Sequence, residues 1–152
     1  MYENELVARR IPLDNIYLDP NNPRFTDLPA RVSDKRTVEP AVQEETLNKI
    51  SKEGVEELIG SILYNGFLPL DRIVVRALQD VSDAYVVVEG NRRIAALKTI
   101  CRRINKAQIN EEEFPEDYQN NLRDSLYEID CLVYTGDETK DIAWILQGIR
   151  HI

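Results

Sequence analysis

The chain has 152 residues, 43% of them apolar and 30% charged, the balance of a soluble globular domain long enough to bury a real core. It holds no run of about 18 apolar residues, and its first residues, MYENELVARRIPL, lack the apolar core of a signal peptide, so a cytoplasmic protein with no membrane span is expected. Net charge is 19 − 27 = −8, which argues against a grip on DNA by bulk electrostatics.

Residues 11–18, IPLDNIYL, alternate well enough for a first strand, and the Asn and Pro of LDPNNPRF mark a turn after it. Residues 27–40 are polar, contain Pro29 and Pro40, and read as a loop. Ala41 to Lys52 reads as a helix interrupted by Gly54. A second helix runs from Val55 to Asn65, with Leu58, Ile59, Ile62 and Leu63 as one apolar stripe and Gly66 placed to stop it. FLPL then leads into a strand from Arg72 to Leu78, residues 79–83 turn, and Ala84 to Val88 is the next strand. Three consecutive valines, Val86 to Val88, predict that both faces of that strand are covered. A helix from Arg92 to about Ile104 follows, then a more polar helix over 115–127 and a strand from Glu128 to Tyr134. After the turn at Thr135-Gly136-Asp137, residues 138–152 are helical to the last residue without a stop signal, so the chain reads as cut inside a longer protein.

Cys101 and Cys131 both lie in apolar patterns and read as buried thiols. His151 is the sole histidine and no cysteine pair has ligand spacing, so no metal site is expected from the protein's own residues. Trp144 reads as core.

The most informative stretch is AYVVVEGNRRIAALK, residues 84–98. An apolar strand ends at Glu89-Gly90, and the helix that starts there carries Arg92 and Arg93 in its first turn. Cations at the positive end of a helix cost roughly 0.3–1 kcal/mol each unless an anion joins them. A strand, a glycine turn, a helix N-terminus and two arginines together suit a phosphate. From Glu89 to Arg103 there are five bases (Arg92, Arg93, Lys98, Arg102, Arg103) against one acid, a local basic patch that suits a small anion better than a long polyanion; EEEFPED, residues 111–117, follows with five acids. The alternative reading pairs the two arginines with that acidic run. Glu89 is either an ordinary strand-end acid or a group that orients the arginines, holds a ribose or acts as a base.

Several pieces occur in a fixed order: a strand followed by Asn22-Pro23-Arg24, a helix ending in SILYNGFLPL, the strand IVVRAL, then YVVVEGNRRIAALK, and last AWILQGIR. This order resembles the N-terminal domain of ParB-type partition proteins, within the wider ParB/sulfiredoxin fold, and covers nearly all of the chain. The resemblance implies an α+β fold, a small twisted mixed sheet surrounded by helices, over residues 1–137. It implies that residues 138–152 begin a C-terminal helical region ahead of a helix-turn-helix DNA-binding domain.

It further implies a bound nucleotide, commonly CTP with Mg2+, that regulates a DNA-binding homodimer. Carried over by position, Gly90, Arg92 and Arg93 hold phosphates, with Asn91 among the cofactor-binding residues, Gly66 and Pro69 line the pocket, and Arg24 reaches in from the first box. Gln147 and Arg150 fall on the last box. Two departures stand out: Asn91 where the family usually has Glu, and Leu146 where the last box usually opens with Glu. At most a slow nucleotide triphosphatase is implied. Sulfiredoxin activity is excluded, because Asn91 stands where the nucleophilic cysteine is needed; a local role as helix N-cap is expected for it. Two further readings remain open. One is a nucleotide-dependent phosphotransferase or nuclease of the same fold, with Glu89 and Asp71 as the acids at hand. The other is a non-catalytic dimerisation scaffold.

Overall fold

The computed structural model describes residues 5–22, 31–67 and 72–136. The helix expected over 138–152, with Trp144, lies outside them, as do Arg24, Pro69, Asp71, Gln147 and Arg150.

The first strand, β1, spans Leu6–Pro12 and not 11–18. Val7 to Arg10 are all exposed, so the alternation that would betray a strand is missing there. Pro12 ends β1, having no N–H to continue a ladder. A 3-10 turn over Leu13–Asn15 follows, and then the short strand β2, Ile16–Tyr17. Inside the expected loop lies a one-turn helix, α1, Asp34–Thr37, capped by the Ser33 side chain accepting from the Arg36 N–H. Four residues are too few to show a helical period. The next helix, α2, is Pro40–Ile50, one residue earlier than expected because Pro40 fits the first helical position.

Helix α3, Val55–Asn65, lies as the sequence predicts, and Gly66 ends it with φ 76°, its N–H donating to the Ile62 carbonyl at 2.7 Å. Strands β3, Val74–Ala77, and β4, Tyr85–Glu89, form the expected hairpin around residues 79–83. Helix α4 runs Asn91–Asn105, α5 runs Glu116–Ser125, and the last strand, β5, is Glu128–Tyr134.

The strands form one mixed sheet in the order β1-β5-β3-β4-β2. β1 pairs antiparallel with β5 and β3 with β4, while β3–β5 and β2–β4 are parallel. The two edge strands are therefore neighbours in sequence. Four flat interstrand spacings would separate them by about 19 Å, yet the chain from Pro12 to Ile16 reaches at most about 14 Å. The sheet must curl toward closure. A side-chain bond from Arg9 on β1 to the Tyr85 hydroxyl on β4, at 3.4 Å, spans the seam.

The main core fills one side of this curl. Val75, Val87, Ile129, Cys131 and Val133 meet Ile59 and Ile62 of α3, Ile94, Leu97 and Ile100 of α4, and Leu122 of α5. The other face carries Val74 and Tyr134 with Leu6, Val88 and Leu132 packed against them. Both faces of β4 are thus covered, with Val88 half-buried. Both cysteines are free, Cys131 buried and Cys101 half-buried. Burial pushes the Cys131 thiol up to about 12, which makes it inert. No helix among the described residues is long and apolar enough to cross a membrane.

Candidate phosphate site

At the end of β4, Glu89 pairs with Val74, and Gly90 turns the chain into α4 with φ 112° and ψ 21°. Two facts favour glycine here. The dihedral is one that L side chains rarely adopt. A Cβ would also meet Ile73 Cγ1 at 3.3 Å and Ile73 Cα at 3.5 Å, because the chain entering β3 passes alongside.

The helix that follows is left open at its positive end. The N-cap residue, Gly90, offers no side chain to cap α4, and the first turn of the helix contains no acid. The Gly90 carbonyl accepts from the Ile94 N–H at 3.0 Å, which sets the first turn. Arg92 is exposed and has no hydrogen bond or ion pair among the described residues; Arg93 is half-buried. No ion pair joins either arginine to residues 111–113, where Glu113 accepts from the Tyr64 hydroxyl. The reading that pairs Arg92 and Arg93 with the acidic run is therefore overturned.

The five bases of residues 89–103 do not form one patch either. Arg102 pairs with Glu44 of α2 at 3.3 Å and Arg103 with Glu56 of α3. They sit in the last turn of α4, where the helix dipole favours cations, about 15 Å from Arg92 and Arg93 at 1.5 Å per residue. Lys98, between them, lies over the Tyr17 ring at 5.5 Å, and burial lowers its pKa. Of these five bases, Arg92 and Arg93 are the two placed at the glycine turn.

Asn91 is not the N-cap; Gly90 is, and Asn91 is the first helical residue, 7% exposed. Its Oδ1 accepts from the Asp19 N–H at 3.0 Å and its Nδ2 donates to the Asp19 carbonyl at 3.5 Å. The amide behaves as a strand neighbour for the residue where β2 pairing has stopped. Gln43 of α2 does the same for Leu18, bonding its N–H and its carbonyl at 2.9 Å each. Asn21 repeats the pattern with Val32, at 2.7 and 2.8 Å. Three amides therefore hold residues 18–21 against α4, α2 and the start of α1. Asn91 ties that loop to the glycine turn, so the segment leading into Asn22-Pro23-Arg24 is held beside Gly90.

Sequence reasoning missed Asp19. Its carboxylate accepts from the Asn21 N–H at 2.9 Å. Burial lifts its carboxyl above the usual carboxylate range, against the pull of that hydrogen bond and of Arg76 and Arg31. Arg76 is engaged by Asp34 through two bonds of 2.9 Å, which hold the Asp34 carboxyl below its usual value. The Asp-Pro-Asn-Asn run signalled a turn; nothing in it signalled which side chains would bury it. Among the described residues no group of three or more His, Cys, Asp or Glu is placed to hold a metal ion.

No curated protein matches the chain. Among solved structures it is similar to the C-terminally truncated chromosome-partitioning protein ParB from Caulobacter crescentus complexed with CTP-gamma-S, with 19% identity and a TM-score of 0.50. The likeness covers 95% of this chain but 53% of that one, so this chain spans about half the length of that relative. At this identity the match carries the fold, a mixed sheet with helices around it. The family model of the ParB N-terminal domain matches residues 35–126, more than half of the chain and inclusive of Gly66 and the whole Glu89–Arg93 turn. On that match the chain belongs to the ParB N-terminal domain family.

Proposed function

We propose that this domain binds a nucleoside triphosphate of the CTP type and acts as the regulatory domain of a ParB-like DNA-binding protein. The observation that carries the reading is the glycine turn. Gly90 takes a positive φ that side chains rarely adopt, it offers no side chain to cap α4, and Arg92 in the first turn is exposed with no hydrogen bond or ion pair among the described residues. Backbone N–H groups, the helix dipole and a guanidinium then meet at one place, and each favours a phosphate. The family and the fold shared with a protein solved with CTP-gamma-S support the same assignment.

In this reading Gly90 admits the phosphates, Arg92 and Arg93 neutralise them, and Arg24 joins from the first box. Gly66 and Pro69 line the nucleoside side, and Gln147 and Arg150 close from the last box. Asn91 acts through the loop it holds and not by touching the ligand. Mg2+ would arrive with the triphosphate, held by phosphate oxygens and water. Glu89 is the acid nearest in sequence to the phosphates and the candidate for any slow hydrolysis. DNA contact belongs to a helix-turn-helix domain beyond residue 152, and the domain works as a homodimer in the cytoplasm.

The test is a panel of CTP, ATP and GTP, each with Mg2+, followed by calorimetry and phosphate release. Tight binding of one nucleotide with little turnover supports the regulatory reading. Rapid phosphate release or transfer moves the assignment to an enzyme. No binding of any nucleotide leaves a scaffold.

A further inference from the structure

Among the described residues, four large apolar side chains are exposed: Val7, Tyr64, Tyr118 and Tyr127. Two of them, Tyr64 at the end of α3 and Tyr118 on α5, flank one buried ring, Phe114. Tyr64 meets Phe114 edge-on, with centroids 5.0 Å apart, and Phe114 stacks on Tyr118 at 5.9 Å. Both hydroxyls are tied down: Tyr64 donates to Glu113 and Tyr118 to the Leu63 carbonyl. The rings are thus fixed in place while Tyr64 remains 64% exposed. An aromatic surface whose rotamers are already set loses little entropy when it binds.

The rim of this platform is acidic. Residues 111–117 contain Glu111, Glu112, Glu113, Glu116 and Asp117 and no base. None of Glu111, Glu112, Glu116 and Asp117 has a cationic partner among the described residues. Glu116 and Asp117 have a local role in the first turn of α5, where the helix dipole favours them. Glu111 and Glu112 lie in the turn before α5, outside that field, and their charge is left unanswered.

We propose that Tyr64, Phe114 and Tyr118 with their acidic rim are a docking surface for a cationic, arginine- or lysine-bearing polypeptide segment. Fixed aromatic faces attract such side chains through the ring quadrupole, and adjacent carboxylates pair with their charge. Charge complementarity selects this occupant. Five acids repel nucleic acid, and a purely apolar helix would strip water from carboxylates without pairing them. The surface uses none of Gly90 to Arg93, so it stands whether or not the nucleotide reading holds.

The probe is a short peptide of alternating glycine and arginine, titrated into the isotope-labelled full chain and followed by amide shifts. The same peptide with glutamate in place of arginine is the control. The expected result is saturable binding, with shifts confined to residues 62–66 and 110–119 and none from the glutamate peptide. Tyr64→Ala should weaken it at least about threefold, and Tyr64→Phe, which keeps the ring and loses the bond to Glu113, much less. A melting curve on each variant checks that the exposed substitution leaves the fold intact. Shifts spread over every acidic surface, or equal affinity in Tyr64→Ala, would overturn the proposal. So would concentration-dependent self-association through these residues without peptide binding, which would make a second copy the occupant.

Discussion

Replacing Asn91 by alanine removes the acceptor of the Asp19 N–H, which lies 3.0 Å from Asn91 Oδ1 in a part-buried setting. An orphaned donor costs about 1–3 kcal/mol. Partial access for water puts this one in the lower half of that range, and the 3.5 Å contact from Nδ2 is too long to add much. A loss of about 1–2 kcal/mol corresponds to a Tm lower by about 2–8 °C for a domain of this size. The assay is urea unfolding of wild type and the variant. An Asn91→Ala midpoint equal to wild type would refute the view that this amide holds the loop.

Gly90→Ala should cost about 1–3 kcal/mol from the forced positive φ, with the 3.3 Å approach to Ile73 on top, and thermal melting reads it directly. Asp19 and Asp34 share Arg76 and should show opposite pH behaviour. The raised Asp19 carboxyl contributes stability that is whole below 3.8 and is lost as pH rises through its folded value, so Asp19→Asn should match wild type in acid and exceed it at neutral pH. The lowered Asp34 carboxyl contributes stability present above 3.8 and lost as pH falls through its folded value, so Asp34→Asn should cost about 1–3 kcal/mol at neutral pH and little in strong acid; denaturant midpoints against pH check both. Arg103→Ala breaks a pair whose carboxylate is largely exposed, so it should change stability by at most about 1 kcal/mol and leave nucleotide affinity unchanged in calorimetry.

Much of the fold was legible because its longer elements carry their own signals. The stripe of Ile59 and Ile62 ended by Gly66 fixed α3, and the valine run ended by Glu89-Gly90 fixed both β4 and the start of α4. β1 was missed because Val7 to Arg10 are exposed on an edge strand and do not alternate. α1 was missed because one turn has no period. At the candidate site, the glycine turn and its arginines were readable from a local pattern. The role of Asn91 was not, since its partner Asp19 lies 72 residues away in sequence. The same holds for Gln43, which serves Leu18 from 25 residues off. Side chains that substitute for missing strand neighbours leave no periodic trace. Charge was the most misleading signal: five bases in one helix read as a single patch, and the helix length separates them into two ends with Arg102 and Arg103 already paired.

Calorimetric titration of CTP with Mg2+ into wild type, Arg92→Ala and Arg93→Ala tests the central claim most directly. The account predicts saturable binding to wild type and at least a tenfold loss in each variant, about 1.4 kcal/mol for a removed charge-assisted contact, with melting temperatures unchanged for the exposed Arg92. Wild-type affinity retained in both variants would contradict it.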